Sequence, residues 1–295
     1  MLLNLFGNVH KSRTRTSRLC VVGASSLVLA LSLSGIANAQ GTLLSYEGFD
    51  YTPGQTLQNG LNGGKGWAGN WFGSGPGAIT GAGLTYPGAM TTGGGVSTAG
   101  SLPAGNPNNV TTVARFFTAP LTDTNTYFLS YLLQPNAGSG FYGGLNLQGS
   151  NGTLFIGKSE GQTTYGLQSG TSVPLVRPSS TSAVQGQPVY LVLRATLNPG
   201  ADQFDLYINP TDFVNLPASP NVSIATTDGI DLGSTVGDLY LNNYGGYTVD
   251  EIRVGKAYGD ITGTVAPSNV PEPGAFALFT GLGMTAIGFH LRRKR

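Results

Sequence analysis

"PVYLVLRATLNPGADQFDLYIN", Pro188 to Asn209, decides the class of fold. Its first half alternates: Val189, Leu191, Leu193 and Ala195 fall on one face of an extended chain, Tyr190, Val192 and Arg194 on the other. Its second half does the same, with Phe204, Leu206 and Ile208 set against Asp205, Tyr207 and Asn209. Between them Asn198-Pro199-Gly200-Ala201 carries the residues of a turn, so the whole reads as a β-hairpin.

Working outward, the same period-two signal recurs in "LLSYEGF" (43–49), "TTVARFF" (111–117), "TYFLSYLLQ" (126–134) and "FYGGLNLQ" (141–148). It continues in "TLFIGK" (153–158), "TTYGLQ" (163–168), "GDLYLNN" (237–243) and "YTVDEIRVG" (247–255). No long amphipathic helix interrupts the series, and 46 glycines with only 10% charged residues lie far from average usage. Ten to twelve strands joined by polar turns predict an all-β chain folded as a two-sheet sandwich of jelly-roll type. Residues 51–109 are rich in Gly, Thr and Asn and read as ordered loops with a few short strands, because the tract keeps Trp67, Trp71, Phe72 and Tyr86.

The two ends of the chain have a different character. Lys11, Arg13, Arg15 and Arg18 precede an apolar run from Leu19 to Ile36, and Ala37-Asn38-Ala39 forms an A-x-A cleavage site. This predicts a secretory signal peptide over 1–39, removed by signal peptidase, and an exported domain beginning at Gln40. At the other end, Val270-Pro271-Glu272-Pro273 is stiffened by its prolines. An uncharged stretch from Gly274 to Leu291 follows, near the shortest helix able to cross a bilayer. Arg292-Arg293-Lys294-Arg295 then holds the end on the cytoplasmic side.

That C-terminal triad resembles the PEP-CTERM sorting signal of Gram-negative bacteria. The resemblance covers residues 270–295 and implies an inner-membrane intermediate anchored by the C-terminal helix. It further implies recognition of Pro271-Glu272-Pro273 by an exosortase, cleavage near that box, and transfer to the cell surface or extracellular matrix, in the company of exopolysaccharide. Residues 263–269 read as the linker between this signal and a β-sandwich ectodomain spanning 40–262.

What lies between the signals limits the chemistry. The single cysteine, Cys20, and the histidines, His10 and His290, all fall in the leader or the tail. The exported domain therefore has no means of building a Ser-His-Asp or Cys-His site or a histidine-bound zinc. Eight of the fifteen basic residues also sit in the two signals, leaving seven against thirteen acidic residues in the domain, a net charge of −6. Such a domain, with no basic cluster, is a poor ligand for nucleic acid.

Two segments, Tyr46–Trp71 and Tyr247–Ile261, resemble the first and last blocks of laminin-G-like, concanavalin-type sandwiches of bacterial surface proteins. That fold sets the first and last strands side by side, which implies that Glu47 and Asp50 approach Asp250. Period-two alternation puts Asp250 on the face of Ile252 and Val254, where a carboxylate needs a partner. Two readings stand: a structural calcium ion held by Asp250 with Glu47 or Asp50, as in related sandwiches, or a strand-end hydrogen bond to backbone. No other cofactor is expected.

Trp67 and Trp71 likewise carry two readings, as platforms that stack sugar rings or as plugs of the core beneath a loop. A glycosidase would need two carboxylates facing one another. The E-x-D-x-x-E strand of laminarinase-type relatives is absent, and Asp250 and Glu251, being adjacent, are expected on opposite faces. The sequence thus points to an exported, non-enzymatic β-sandwich of the matrix, with a carbohydrate-binding module as the alternative and a divergent glycoside hydrolase behind it.

Overall fold

The computed structural model describes residues 43–58, 60–75, 77–98, 110–139, 141–171 and 175–262. The leader (1–39), the linker and the sorting tail (263–295) lie outside the described residues. Among the described residues no helix is long and apolar enough to cross a membrane.

Fifteen strands, one 3-10 turn (Thr226–Asp228) and one short α-helix are found among the described residues. They are β1 (Ser45–Glu47), β2 (Trp67–Ser74), β3 (Gly77–Thr80), β4 (Gly95–Thr98), β5 (Val110–Thr122), β6 (Asn125–Pro135), β7 (Tyr142–Gly149) and β8 (Thr153–Lys158). After them come β9 (Thr164–Ser169), β10 (Leu175–Ser182), β11 (Val189–Leu197), β12 (Gln203–Ile208), β13 (Val222–Ile224), β14 (Thr235–Tyr244), β15 (Tyr247–Gly255) and α1 (Tyr258–Thr262).

The strands form two antiparallel sheets, the expected two-sheet sandwich. An eight-stranded sheet runs β13-β12-β11-β6-β15-β4-β3, with β1 also on β15, and a seven-stranded sheet runs β10-β9-β8-β7-β14-β5-β2. Every strand anticipated from alternation is present, and the β11–β12 hairpin pairs Leu191 with Ile208 through to Thr196 with Gln203. The first and last strands are neighbours, with Ser45 opposite Val254 and Glu47 opposite Ile252. The tract read as loops with a few short strands supplies β2, β3 and β4, and both tryptophans lie on β2 rather than in a loop.

Inward-facing residues of both sheets meet in one core: Leu129, Tyr131 and Leu133 of β6 and Leu191 and Leu193 of β11, against Leu145 of β7, Ile156 of β8 and Leu241 of β14. Burying aliphatic side chains of this size contributes roughly 1.5–3 kcal/mol each. The Tyr131 hydroxyl spans the core and donates to the Ile156 carbonyl at 2.6 Å, whereas the Tyr165 hydroxyl is buried with no hydrogen-bond partner among the described residues.

A second apolar cluster covers the outer face of the eight-stranded sheet. Leu132, Phe128, Tyr190, Val192 and Tyr207 are overlaid by Leu84, Tyr258 and Ile261. Leu84 belongs to a strap, Gly81–Gly94, and Tyr258 and Ile261 to α1. This sheet is therefore buried on both sides, which is why "FLSYLL" and "VYLVL" read as nearly continuous apolar runs.

Candidate functional site

The expected metal ligands come first, because β15 departs from simple alternation. Asp250 pairs with Leu132 and Arg253 with Ser130, so β15 carries one more residue than β6 over this span. The extra residue makes a β-bulge at Glu251, whose backbone is left-handed (φ 55°). The bulge reverses the parity of the strand. Val249, Ile252 and Val254 face the core, whereas Asp250 turns outward beneath the strap. Two expectations are corrected at once: Asp250 does not share a face with Ile252, and Asp250 and Glu251 both point outward rather than to opposite sides.

Glu47, by contrast, faces inward and is buried between the sheets. It forms an ion pair with Arg115 of β5. Its carboxylate also accepts from the Tyr51 hydroxyl at 2.8 Å, the Trp71 indole at 3.0 Å and the Phe49 N–H at 2.9 Å. Burial raises its pKa and Arg115 opposes that rise. Glu47 and Asp250 are thus on opposite faces of the sheet although their strands are adjacent, and Glu47 is engaged by four donors, from Arg115, Tyr51, Trp71 and Phe49. Glu47 therefore does not approach Asp250, whereas Asp50 lies near enough for its charge to act on the Asp250 carboxyl. Among the described residues no three His, Cys, Asp or Glu side chains are grouped as around a metal.

Asp250 takes the other expected role, as a hydrogen-bond acceptor. It receives the N–H of Leu84 at 2.7 Å and of Glu251 at 2.7 Å. Asp50 accepts from Gly93 N–H at 3.2 Å, Glu251 accepts from Thr92 N–H, and Arg253 donates to the Met90 carbonyl at 3.0 Å and to Glu251 at 2.8 Å. These side chains pin the strap to β15. Burial, reinforced by the neighbouring Glu251 charge, pushes the Asp250 carboxyl up to about 9.

The tryptophans resolve in favour of the core. Trp71 is 1% exposed and stacks on Phe49 at 5.8 Å. Trp67 stacks on Phe117 at 5.3 Å and donates its indole N–H to the Tyr46 carbonyl at 2.8 Å. The Arg115 guanidinium sits over both rings, at 5.5 and 5.7 Å. Trp71 is thereby closed to a sugar, and Trp67, half-buried, has its ring packed against Phe117 and Arg115. Residues 270–273, 292–295, 37 and 39 lie outside the described residues.

What the sequence reading did not single out is a groove on the outer face of the seven-stranded sheet. Its volume is about 210 Å³, and Tyr142, Asn146, Thr153, Phe155, Glu160, Gln168, Gly170 and Asn242 line it. Alternation places them: Leu145 and Leu147 of β7, Leu154 and Ile156 of β8 and Leu239 and Leu241 of β14 face the core. Asn146, Phe155 and Asn242 are thereby sent outward. Aromatic rings form one side, with Tyr142 edge-on to Phe155 at 6.2 Å, stacked on Tyr244 at 5.8 Å, and Phe141 edge-on to Tyr244 at 4.3 Å. Among the described residues Glu160 is the only charged side chain lining the groove. The signal was present in "FYGGLNLQ", "TLFIGK" and "GDLYLNN", whose solvent-facing positions hold amides and aromatic rings instead of the usual lysines and glutamates.

No protein-family model and no curated protein matches the chain. Among solved structures it is similar to an endo-β-1,4-glucuronan lyase from the fungus Trichoderma reesei, at 8% identity and a TM-score of 0.47, over 72% of this chain and 97% of that one. It is also similar to domain 4 of a GH43 extracellular arabinanase from Geobacillus stearothermophilus in complex with arabinotriose, at 15% identity and a TM-score of 0.47, over 76% and 98%. A third is an endo-1,3-β-glucanase from Streptomyces sioyaensis, at 11% identity and a TM-score of 0.43, over 74% and 96%.

Proposed function

We propose that this chain is an exported, surface-sorted, non-enzymatic β-sandwich of the extracellular polysaccharide matrix, and that its domain holds carbohydrate in the groove on the seven-stranded sheet. The observation that carries the reading is the groove's lining. Flat aromatic rings beside side-chain amides suit a ligand with apolar ring faces and a rim of hydroxyl groups, since the rings supply burial and the amides fix orientation. A binding role is favoured over a hydrolytic one because Glu160 is the single carboxylate among the lining residues, and both hydrolytic routes need a facing pair. Export by signal peptidase at Ala37-Asn38-Ala39 and processing by an exosortase at Pro271-Glu272-Pro273 rest on the sequence.

The surface-extracted protein provides the test. Intact mass should correspond to loss of residues 1–39 and of the helix beyond Pro273; a terminal Arg295 on that material would overturn sorting. In native gels containing dissolved polysaccharide the same protein should be retarded, and Tyr142→Ala should abolish the retardation without lowering the melting temperature. No retardation by any polysaccharide overturns the carbohydrate reading, and release of new reducing ends overturns the non-enzymatic one.

A further inference from the structure

The groove is one end of a longer feature. Strand register on the outer face sets residues of successive strands side by side, so rows can be followed across the sheet. One row runs from Gln168 through Phe155, Asn146, Tyr240 and Ala114 to Phe72. The next runs from Gly166 through Gly157, Gly144, Asn242 and Thr112 to Ser74. Both cross from β9 to β2, roughly 24 Å over five inter-strand spacings.

The second row is a low lane. A side chain begun at Gly144, Gly157 or Gly166 would stand only 2.1–2.3 Å from a carbonyl oxygen of the adjacent strand, so this part of the floor stays bare. Beyond it the floor offers the Asn242 amide, hydrogen-bonded to the Thr112 hydroxyl at 3.3 Å, and the exposed Ser74. Phe155, Tyr240 and Phe72 border the lane on one side, and the stacked Tyr142 and Tyr244 on the other. At the β2 end Phe72 and Phe116 stack at 4.9 Å yet remain 39% and 47% exposed, a ring pair left open to solvent in continuity with the groove.

Charge narrows the occupant. Among the described residues the lane and its borders carry no lysine or arginine. Glu160 stands in the groove and Asp238 on β14 opposite Phe116, and Lys158 turns its ammonium to the Phe141 carbonyl. Lys158 lies near enough to Glu160 for their charges to interact, so a polyanion laid here would meet two carboxylates against one cation already engaged by both Glu160 and the Phe141 carbonyl.

We propose that this lane takes an internal stretch of an uncharged polysaccharide, lying across the strands from the Tyr142–Phe155 groove to the Phe72–Phe116 pair. The inference rests on the carbohydrate reading of the groove and adds the charge, direction and length of the ligand. Affinity gels with the processed protein against β-glucan and xylan (uncharged), alginate and polygalacturonate (uronate) and chitosan (cationic) test it, alongside calorimetry with a length series of oligosaccharides from the best polymer. The expected result is retention by an uncharged polymer that does not change between about 0.05 and 0.5 M salt, where ionic attraction would be screened away. Phe116→Ala should lower affinity for polymer about tenfold while leaving that for a disaccharide unchanged, whereas Tyr142→Ala should lose both. Salt-sensitive binding of a charged polymer overturns the assignment of charge and leaves the groove as a carbohydrate site. An unchanged polymer affinity in Phe116→Ala overturns the extended lane alone. Absence of binding to every polymer overturns the underlying reading together with this one.

Discussion

The two sheets share a core but treat their outer faces in opposite ways. Outward positions of β6 and β11 are Phe128, Leu132, Tyr190 and Val192, all buried beneath the strap and α1. Outward positions of β7, β8 and β14 include Asn146, Phe155 and Asn242, which line the groove. The difference lies in what each face can bury. A covered face must be apolar and must satisfy the backbone of its cover, which Asp50, Asp250, Glu251 and Arg253 do for the strap. The open face instead keeps polar amides and partly exposed rings, groups ready to pair with something that arrives.

The largest effect that could break this contrast is expected at Leu132, fully buried on the outer side of β6. Leu132→Ala should destabilise the domain by about 2–5 kcal/mol in denaturant unfolding, the usual cost of a leucine-sized cavity. A loss below about 0.5 kcal/mol would mean that the strap and α1 do not close over this face.

An intermediate effect is expected at Asp250. Its carboxyl, pushed up to about 9 in the folded domain, loses its proton near pH 4 in the unfolded chain. Between these values the native state binds more protons, so stability must fall as pH rises. With EGTA present, the melting temperature should be highest near pH 4–5, decline through neutrality and level off above about 9. Asp250→Asn should flatten that slope in part, leaving the contribution of Glu47, whose pKa burial also raises. A calcium-dependent rise in the wild-type melting temperature at pH 8, absent in Asp250→Asn, would instead return an ion to the site with Asp50 and Asp250 as its acidic ligands.

The smallest effect belongs to the open face. Asn146→Ala should change unfolding free energy by less than about 0.5 kcal/mol, as surface substitutions do, while weakening retention on polysaccharide. A loss of several kcal/mol would make Asn146 a structural amide and return the groove to the framework of the fold.

Much of this architecture is written locally. Alternation in Val189–Leu197 and Gln203–Ile208 depends only on which neighbours two residues apart are apolar, and these strands appear with the expected faces inward. Strands β2, β3, β4, β10 and β13 escaped individual assignment because their segments are Gly-rich, polar or only a few residues long, as in "LVRPSSTS" of β10. The groove was half legible, since amides at solvent-facing strand positions can be read from the chain.

The sequence alone determined the all-β class, the inward faces of β11 and β12, and a domain without histidine or cysteine, because each is a matter of composition or of spacing along one strand. Tertiary structure alone decided three things. It placed Asp250 outward, because the bulge at Glu251 depends on how β15 is matched to β6. It sent Trp67 and Trp71 inward, because Glu47 and Arg115 meet between the sheets and draw both rings about them. It also aligned Gly144, Gly157 and Gly166 into one lane. Register between strands is fixed by packing across the whole sandwich, and no single strand carries that information.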